Sequence, residues 1–504
     1  MDRRTFVKGA VISAGAAAAI PSVARASTTA NLALLSNRLV TRPARTPVKH
    51  LVVLMQENRS VDHALGWLGA ENPAFDSRQT ASFRDLRQGP NGPMVSTEAW
   101  GARGRNNYHG RAFADPSHSW AGGRYERNGG QCDGWLRPET GNDELALSTY
   151  DAADLPVWAR LVRDYQAYDR WFASLLGPTQ PNRFYLHSAQ SGGRKNNDLP
   201  PQLAQEHPEW ALGFDWPTIW TLCKAFGVSA TYYFCNLPDI AFWGARHLEH
   251  ARPIAEYYAD AAAGTLPQLA IIDPWFSAPE GLANDDHPHA DLRLGQAFIS
   301  DVVEAFGSSP CYREGALVVT YDEWGGFWDH VNPPRLPDDR GTPKDPGGQE
   351  DFGQLGFRIP SSIMSPWTRT PRTKRVANVD HTVYEHSSIL KFVSDNWGLP
   401  YLTARHAATN SIEKAFRGFK TFDPDPSYVP YEAPPQVALE PTLEDLPASS
   451  PPALTEGSDL HVLAAMGWFD DLPVHLDLRF EDSFLRARPE LLADAAAALA
   501  QAPA

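Results

Sequence analysis

Five short apolar runs constrain the fold of this chain more than any other feature. They are Leu51–Met55, Val228–Phe234, Gln268–Ile272, Ala316–Tyr321 and Ile359–Met364, largely β-branched or aromatic. Runs of this length and composition predict buried strands. Helical patterns separate them. Leu155, Trp158, Leu161, Val162 and Tyr165 recur at helical spacing, with Pro156 suited to a first turn. Leu292, Gly295, Phe298, Val302 and Phe306 do so again, and Gly307 is the expected stop. Strands alternating with helices predict an α/β fold: a mostly parallel central sheet with helices on both faces. The aromatic residues on those helices are read as core. With 504 residues, 42% of them hydrophobic, the chain can bury a large core.

Two stretches interrupt the pattern and are expected to be irregular lid insertions. Residues 76–151 are rich in Gly, Asn, Arg and Trp, and residues 332–352 are dense in Pro, Asp and Gly. The ends have their own character. Arg3 and Arg4 precede a weakly apolar run from Gly9 to Ile20, and Ala24-Arg25-Ala26 offers small residues for cleavage. This reads as a twin-arginine signal over residues 1–26, with the mature chain outside the cytoplasm. The apolar run is too short to span a bilayer. Residues 27–422 are expected to form the catalytic domain. Residues 423–504 read as a Pro-rich wrap followed by C-terminal helices.

Loss of the signal, which carries a net +3, takes the formal charge from −15 to −18. So acidic a chain, with no basic stripe, does not suit nucleic acid. Cys132, Cys223, Cys235 and Cys311 permit two disulfides or four buried thiols, and none forms a CxxC metal pair.

The chemistry concentrates in three segments. In Gly177-Pro178-Thr179-Gln180-Pro181-Asn182-Arg183 a hydroxyl follows a Gly-Pro turn. This grouping presents Thr179 as a nucleophile, with Asn182 and Arg183 beside a bound anion. The strand at Leu51–Met55 runs into Glu57-Asn58-Arg59, and the strand at Ala316–Tyr321 into Asp322-Glu323. Ligands of open α/β sheets bind at the carboxyl ends of strands. Glu57, Asp322 and Glu323 are the hard oxygen ligands that a divalent cation needs. A threonine hydroxyl is a feeble nucleophile near neutral pH, and cation binding lowers its pKa.

These segments, with the landmarks ENRSVDHALGWLG, DPSHSW, GGQCDGW, IIDPWF, DDHPHAD, YDEWGGFWDHV and YEHSSILKFV, resemble the bacterial phosphoesterase family of phospholipases C and related acid phosphatases. The resemblance runs from about His50 to about Pro400. It implies an alkaline-phosphatase-like core and one divalent metal ion (Ca, Zn or Mg). It adds Asn58 as a metal ligand beside Thr179. It places His118, His287, His330 and His386 at the phosphate, with His287 or His330 as the general acid and Asp329 among the substrate-binding groups. Val61 stands where the family commonly has Phe. Threonine rather than serine at position 179 leans towards the phospholipase C branch. The expected substrate is therefore a phospholipid or a small phosphate ester, hydrolysed through a phosphothreonine. An acid phosphomonoesterase and an inactive binding protein on the same fold are the alternatives.

Overall fold

The computed structural model describes residues 46–198, 200, 213–236, 238–276, 283–340, 351–370 and 376–416. The signal (1–26), the Pro-rich stretch and C-terminal helices (423–504), and residues 341–350 of the second insertion lie outside the described residues.

An eight-stranded sheet organises the described chain. In chain order its strands are β1 (His50–Gln56), β2 (Ala167–Tyr168), β3 (Ala230–Phe234), β4 (Ala251–Pro253), β5 (Leu269–Asp273), β6 (Gly315–Tyr321), β7 (Ser362–Met364) and β8 (Val379–Asp380). They lie side by side in the order β8-β2-β7-β6-β1-β5-β3-β4. Strand β1 pairs in parallel with β6 on one side and β5 on the other. Strands β5, β3 and β4 continue in parallel. Only β7 runs antiparallel to its neighbours, β6 and β2. All five expected strands form. The run at 359–364 contributes only its last three residues, and three short strands at 167–168, 251–253 and 379–380 were too brief to carry a pattern.

Leu51 to Met55 have no solvent exposure, so both faces of the sheet are covered, as near-continuous apolar runs require. The covering helices form two groups. One joins α3 (Pro156–Asp164), α6 (Ile254–Ala263) and α7 (Leu292–Ser308); the other joins α4 (Thr179–Ser188), α5 (Ile219–Phe226) and α8 (His386–Trp397). Here α1 is Val61–Leu65 and α2 is Trp120–Arg127. Pro156 opens α3, as expected. Gly307 does not stop α7, which continues to Ser308 and ends at Ser309, just before Pro310. Proline cannot extend the hydrogen-bonding pattern, and it overrides the glycine signal.

The first insertion is irregular in backbone but well packed. Its residues Phe83, Cys132, Trp135, Leu136 and Leu147 pack with Leu176, Trp324, Trp328 and Phe357 into a second small core. This clamps the insertion onto the loop after β6 and brings His118 to the sheet. Cys132, Cys223 and Cys311 are buried free thiols. Among the described residues, no helix is long and apolar enough to cross a membrane.

Candidate active site

Three adjacent parallel strands end in acids. Glu57 follows β1, Asp322 follows β6, and Asp273 is the last residue of β5. The ends are tied together: Asp322 N donates to Gln56 O (3.0 Å), Asn58 N to Asp322 Oδ1 (3.1 Å), and Arg59 N to Glu323 O (3.1 Å). Asn58 takes a left-handed conformation (φ 61°), which asparagine tolerates well. Against it, a Cβ on Gly325 would stand 2.3 Å from Asn58 O, so the Gly-Gly turn after Trp324 is what lets the two loops meet.

Thr179 is the first residue of α4, and Arg183 lies one turn further on the same helix face. Asn182 folds back on the preceding turn. It accepts from Leu175 N (2.8 Å) and donates to Gly177 O (2.7 Å). The sequence placed Asn182 beside a bound anion; in the structure its side chain instead shapes the turn that presents Thr179, with its amide bonded to Leu175, Gly177 and Pro178. Arg183 is also not open to an anion. It is buried among carboxylates, 3.0 Å from Asp273, 3.3 Å from Glu57, 3.3 Å from Asp322 and 3.9 Å from Asp239.

One guanidinium against so many buried acids leaves the site electron-rich. Burial drives the Glu57 carboxyl well above its usual pKa; Arg183 opposes the shift, while Asp322, Asp285 and Asp239 add to it. Burial likewise raises Asp273 to about 7 and Asp239 to about 6, again against Arg183. For Arg183 burial works downwards, but Asp273, Asp322, Glu57 and Asp239 outweigh it and hold the guanidinium charged. Several oxygens have no hydrogen-bond donor: both of Glu57, Oδ1 of Asn58, Oγ1 of Thr179 and Oδ2 of Asp322. Buried polar atoms are ordinarily satisfied. Orphaned hard oxygens in excess negative charge fit a divalent cation, and Glu57, Asn58, Thr179, Asp322 and Glu323 could hold one.

Two histidines border this cluster. His118 Nδ1 donates to Pro116 O (2.7 Å), and Nε2 lies 3.4 Å from Asn58 Nδ2 and 3.9 Å from Glu323. His287 lies 5.6 Å from His118 ring to ring, and its Nε2 is 3.9 Å from Asp115. Asp115, His118 and His287 form a group that could itself take part in metal binding. The loop carrying His287 is pinned over β1, because Glu57 N donates to Asp285 O (2.7 Å) and Arg59 clasps Asp286 O.

The remaining expected residues stand elsewhere. His330 is held at both ring nitrogens, Nδ1 on Asp62 and Nε2 on Asp76 (3.0 Å). Asp329 is paired with Arg358 through both oxygens (3.1 and 3.2 Å). His386 lies with Nδ1 2.7 Å from Ser174 Oγ and donates from Nε2 to Tyr321 O (3.0 Å). Burial lowers its pKa to about 3, aided by Arg183 and Arg405. These three corrections share one cause: each side chain has its polar atoms committed to protein partners. His386 buttresses the end of β6, and Asp329 and His330 belong to a charge network around Arg358. Conversely, Asp273 and Asp239 were not expected at the site. Asp273 ends the IIDPWF strand and obeys the same strand-end rule as Glu57. Asp239, in an irregular helical turn, carries no such signal.

The site thus combines a buried hydroxyl at a helix N-terminus, an unsatisfied oxygen cluster and two imidazoles. Residues 48–400 match the model of the phosphoesterase family. The chain belongs to this family. Among its relatives, non-specific phospholipase C1 of Arabidopsis thaliana is 34% identical over 74% of this chain and 71% of its own length. Non-specific phospholipase C6 of the same plant is 32% identical over 79% of this chain and 77% of its own. Phospholipase C B of Mycobacterium tuberculosis is 29% identical, over 72% and 76%. A solved structure from Vibrio parahaemolyticus, described as a protein in the alkaline phosphatase superfamily, covers 73% of this chain and 71% of that one at 10% identity, with a TM-score of 0.35. This phosphoesterase is a phosphoric ester hydrolase.

Proposed function

We propose that this phosphoesterase is an exported, metal-dependent phospholipase C that works through a phosphothreonine. The observation that carries the reading is the Thr179 hydroxyl. It is buried, without a hydrogen-bond partner, at the start of α4 and one turn from the Arg183 hub that joins the strand-end acids. The phospholipase C names of the relatives support the substrate class.

In this reading Glu57, Asn58, Thr179, Asp322 and Glu323 would hold one divalent cation, which would supply Lewis acidity to acidify the hydroxyl and offset phosphoryl charge. Thr179 Oγ attacks phosphorus, forming the Oγ–P bond as the bond from phosphorus to the diacylglycerol oxygen breaks. The positive end of the α4 dipole lies at Thr179 and favours negative charge developing there. The departing alkoxide takes a proton from His287, which stands on the pinned loop with its ring 5.6 Å from that of His118. Water then attacks the phosphothreonine, its proton passing to His287 and restoring the acid, and the phosphorylated head group leaves as the bond from phosphorus to Thr179 Oγ breaks. Arg183 does not touch the substrate; it fixes Glu57 and Asp322 relative to α4. Export is proposed from Arg3 and Arg4, and an Arg3→Lys/Arg4→Lys chain should accumulate in the cytoplasm.

The test compares p-nitrophenyl phosphorylcholine with p-nitrophenyl phosphate, with and without a chelator. Preference for the diester, lost on chelation and restored by a divalent metal, supports the reading. Preference for the monoester makes the protein an acid phosphomonoesterase on the same site. Turnover of neither leaves it a binding protein.

A further inference from the structure

One buried acid lies outside the strand-end cluster and takes no part in the proposed chemistry. Glu126, on α2, has no solvent exposure. Its two oxygens accept from different segments, Oε1 from Asn142 Nδ2 (3.0 Å) and Oε2 from Trp324 Nε1 (2.9 Å). Each donor leads to the candidate site. Trp324 follows Glu323, and Gly325 N just beyond it donates to Glu323 Oε2 (2.6 Å). Asn142 Oδ1 accepts from Ser117 N (2.6 Å), and Ser117 immediately precedes His118. The two loops also touch directly, since a Cβ on Gly326 would stand 2.6 Å from the Pro116 carbonyl carbon. Helix α2 reaches the indole because Gly123 has no side chain; a Cβ there would be 2.8 Å from the Trp324 ring.

We propose that Glu126 is a positioning residue that sets Glu323 and His118 relative to each other through Trp324 and Asn142. This role rests on the metal-dependent reading of the site and deepens it. A carboxyl taken out of water is costly unless its oxygens are hydrogen-bonded. Burial pushes Glu126 up to about 8, against the bonds from Asn142 and Trp324 and the nearby His118. An apolar side chain would fill the same space without that cost, but it would leave the Trp324 N–H and the Asn142 amide without their acceptor. A glutamine would offer one acceptor to two donors. A carboxyl accepts at both ends, and so joins the two loops through a single side chain. The links have little freedom of their own. One is a rigid indole, and the other is an amide whose Nδ2 also donates to Trp135 O (3.0 Å). What the bridge fixes is the separation of a candidate metal ligand and an imidazole, 3.9 Å between Glu323 Oε1 and His118 Nε2.

The experiment strips the full chain of metal with a chelator and titrates it calorimetrically with Ca2+, Zn2+ and Mg2+ in turn. Then kcat and KM on p-nitrophenyl phosphorylcholine and p-nitrophenyl phosphate, and Tm, are measured with the metal that binds. Glu126→Gln preserves shape but turns an NH2 group towards one of the two donors. It should weaken metal binding or lower kcat about 10- to 100-fold, the range for outer partners of metal ligands, with KM little changed. Asn142→Asp puts an acceptor opposite that NH2 group, so Glu126→Gln/Asn142→Asp should recover most of the loss. A residue that only stabilises the fold would lower Tm and leave both constants alone. Metal binding and kcat both unchanged in Glu126→Gln, or no recovery in the double variant, overturns the bridge. If Glu126→Gln does not fold, Trp324→Phe decides, since it cuts only the arm to Glu323. It should weaken metal binding about tenfold or more, and unchanged binding overturns the bridge. If the parent binds no metal, the metal-dependent reading falls and the bridge is decided by kcat alone. A parent with neither metal nor turnover overturns both.

Discussion

Arg183→Met should destabilise the metal-free protein by a large fraction of its total stability. Among the described residues, Arg183 is the single guanidinium within 4 Å of Glu57, Asp239, Asp273 and Asp322, all buried. Removing one member of a buried ion pair costs about 3–5 kcal/mol, because the partner is left charged and desolvated. Here several partners are stranded at once. They will escape part of the penalty by taking up protons, so the pair value is a reasonable scale. With an unfolding entropy of about 2.1 cal/mol/K per residue over roughly 340 described residues, 3–5 kcal/mol corresponds to a fall in Tm of about 4–7 °C. The sign of the pH dependence follows from the acids. Asp239 and Asp273 already titrate at about 6 and about 7, above their unfolded values. Their stabilising contribution is complete in acid and is lost as pH rises through those values. Without Arg183 the deficit should therefore be larger at pH 8 than at pH 5. Differential scanning calorimetry in chelator at the two pH values measures both effects, and a divalent metal should return part of the loss at pH 8. A Tm within 1 °C of the parent at pH 8 would refute the hub.

Arg358→Met strands Asp62 and Asp329 in the same way and should cost about 3–5 kcal/mol in urea denaturation, with no change in metal content. His287→Asn should cut hydrolysis of lipid, a poor leaving group, at least tenfold more than that of a nitrophenyl ester, whereas His330→Asn should slow both equally; equal losses in both variants remove His287 as the acid. Burial, with help from Arg183, His247 and His386, holds His187 near a pKa of about 3, so its contribution is present above pH 6.5 and is lost as pH falls towards 3. His187→Gln should therefore lose about 2 kcal/mol less than the parent between pH 6.5 and pH 5, read from urea midpoints; parallel pH profiles contradict this.

The sheet was legible because its central strands are buried on both faces and so read as unbroken apolar runs. The same rule located Glu57 and Asp322, and applied to IIDPWF it would have found Asp273. Short edge strands such as Val379–Asp380 carry too few residues for a pattern. Composition marked the first insertion as irregular but did not show the small core it carries, built from Trp135 and Phe83 against Trp324 and Trp328. Histidines were the hardest to place. His118, His330 and His386 look alike in sequence; they differ only in whether Asp62, Asp76, Ser174 or the Tyr321 carbonyl meets their ring nitrogens. Those contacts span from 65 to more than 250 residues of chain.

The attack by Thr179 is tested most directly by the stereochemical course at phosphorus. A phosphorothioate analogue of p-nitrophenyl phosphorylcholine, of one configuration at phosphorus, is hydrolysed in isotopically labelled water, and the configuration of the product is determined. Two in-line displacements, first by Thr179 and then by water, give net retention. Net inversion would mean that water attacks in a single step, and the phosphothreonine account would be wrong.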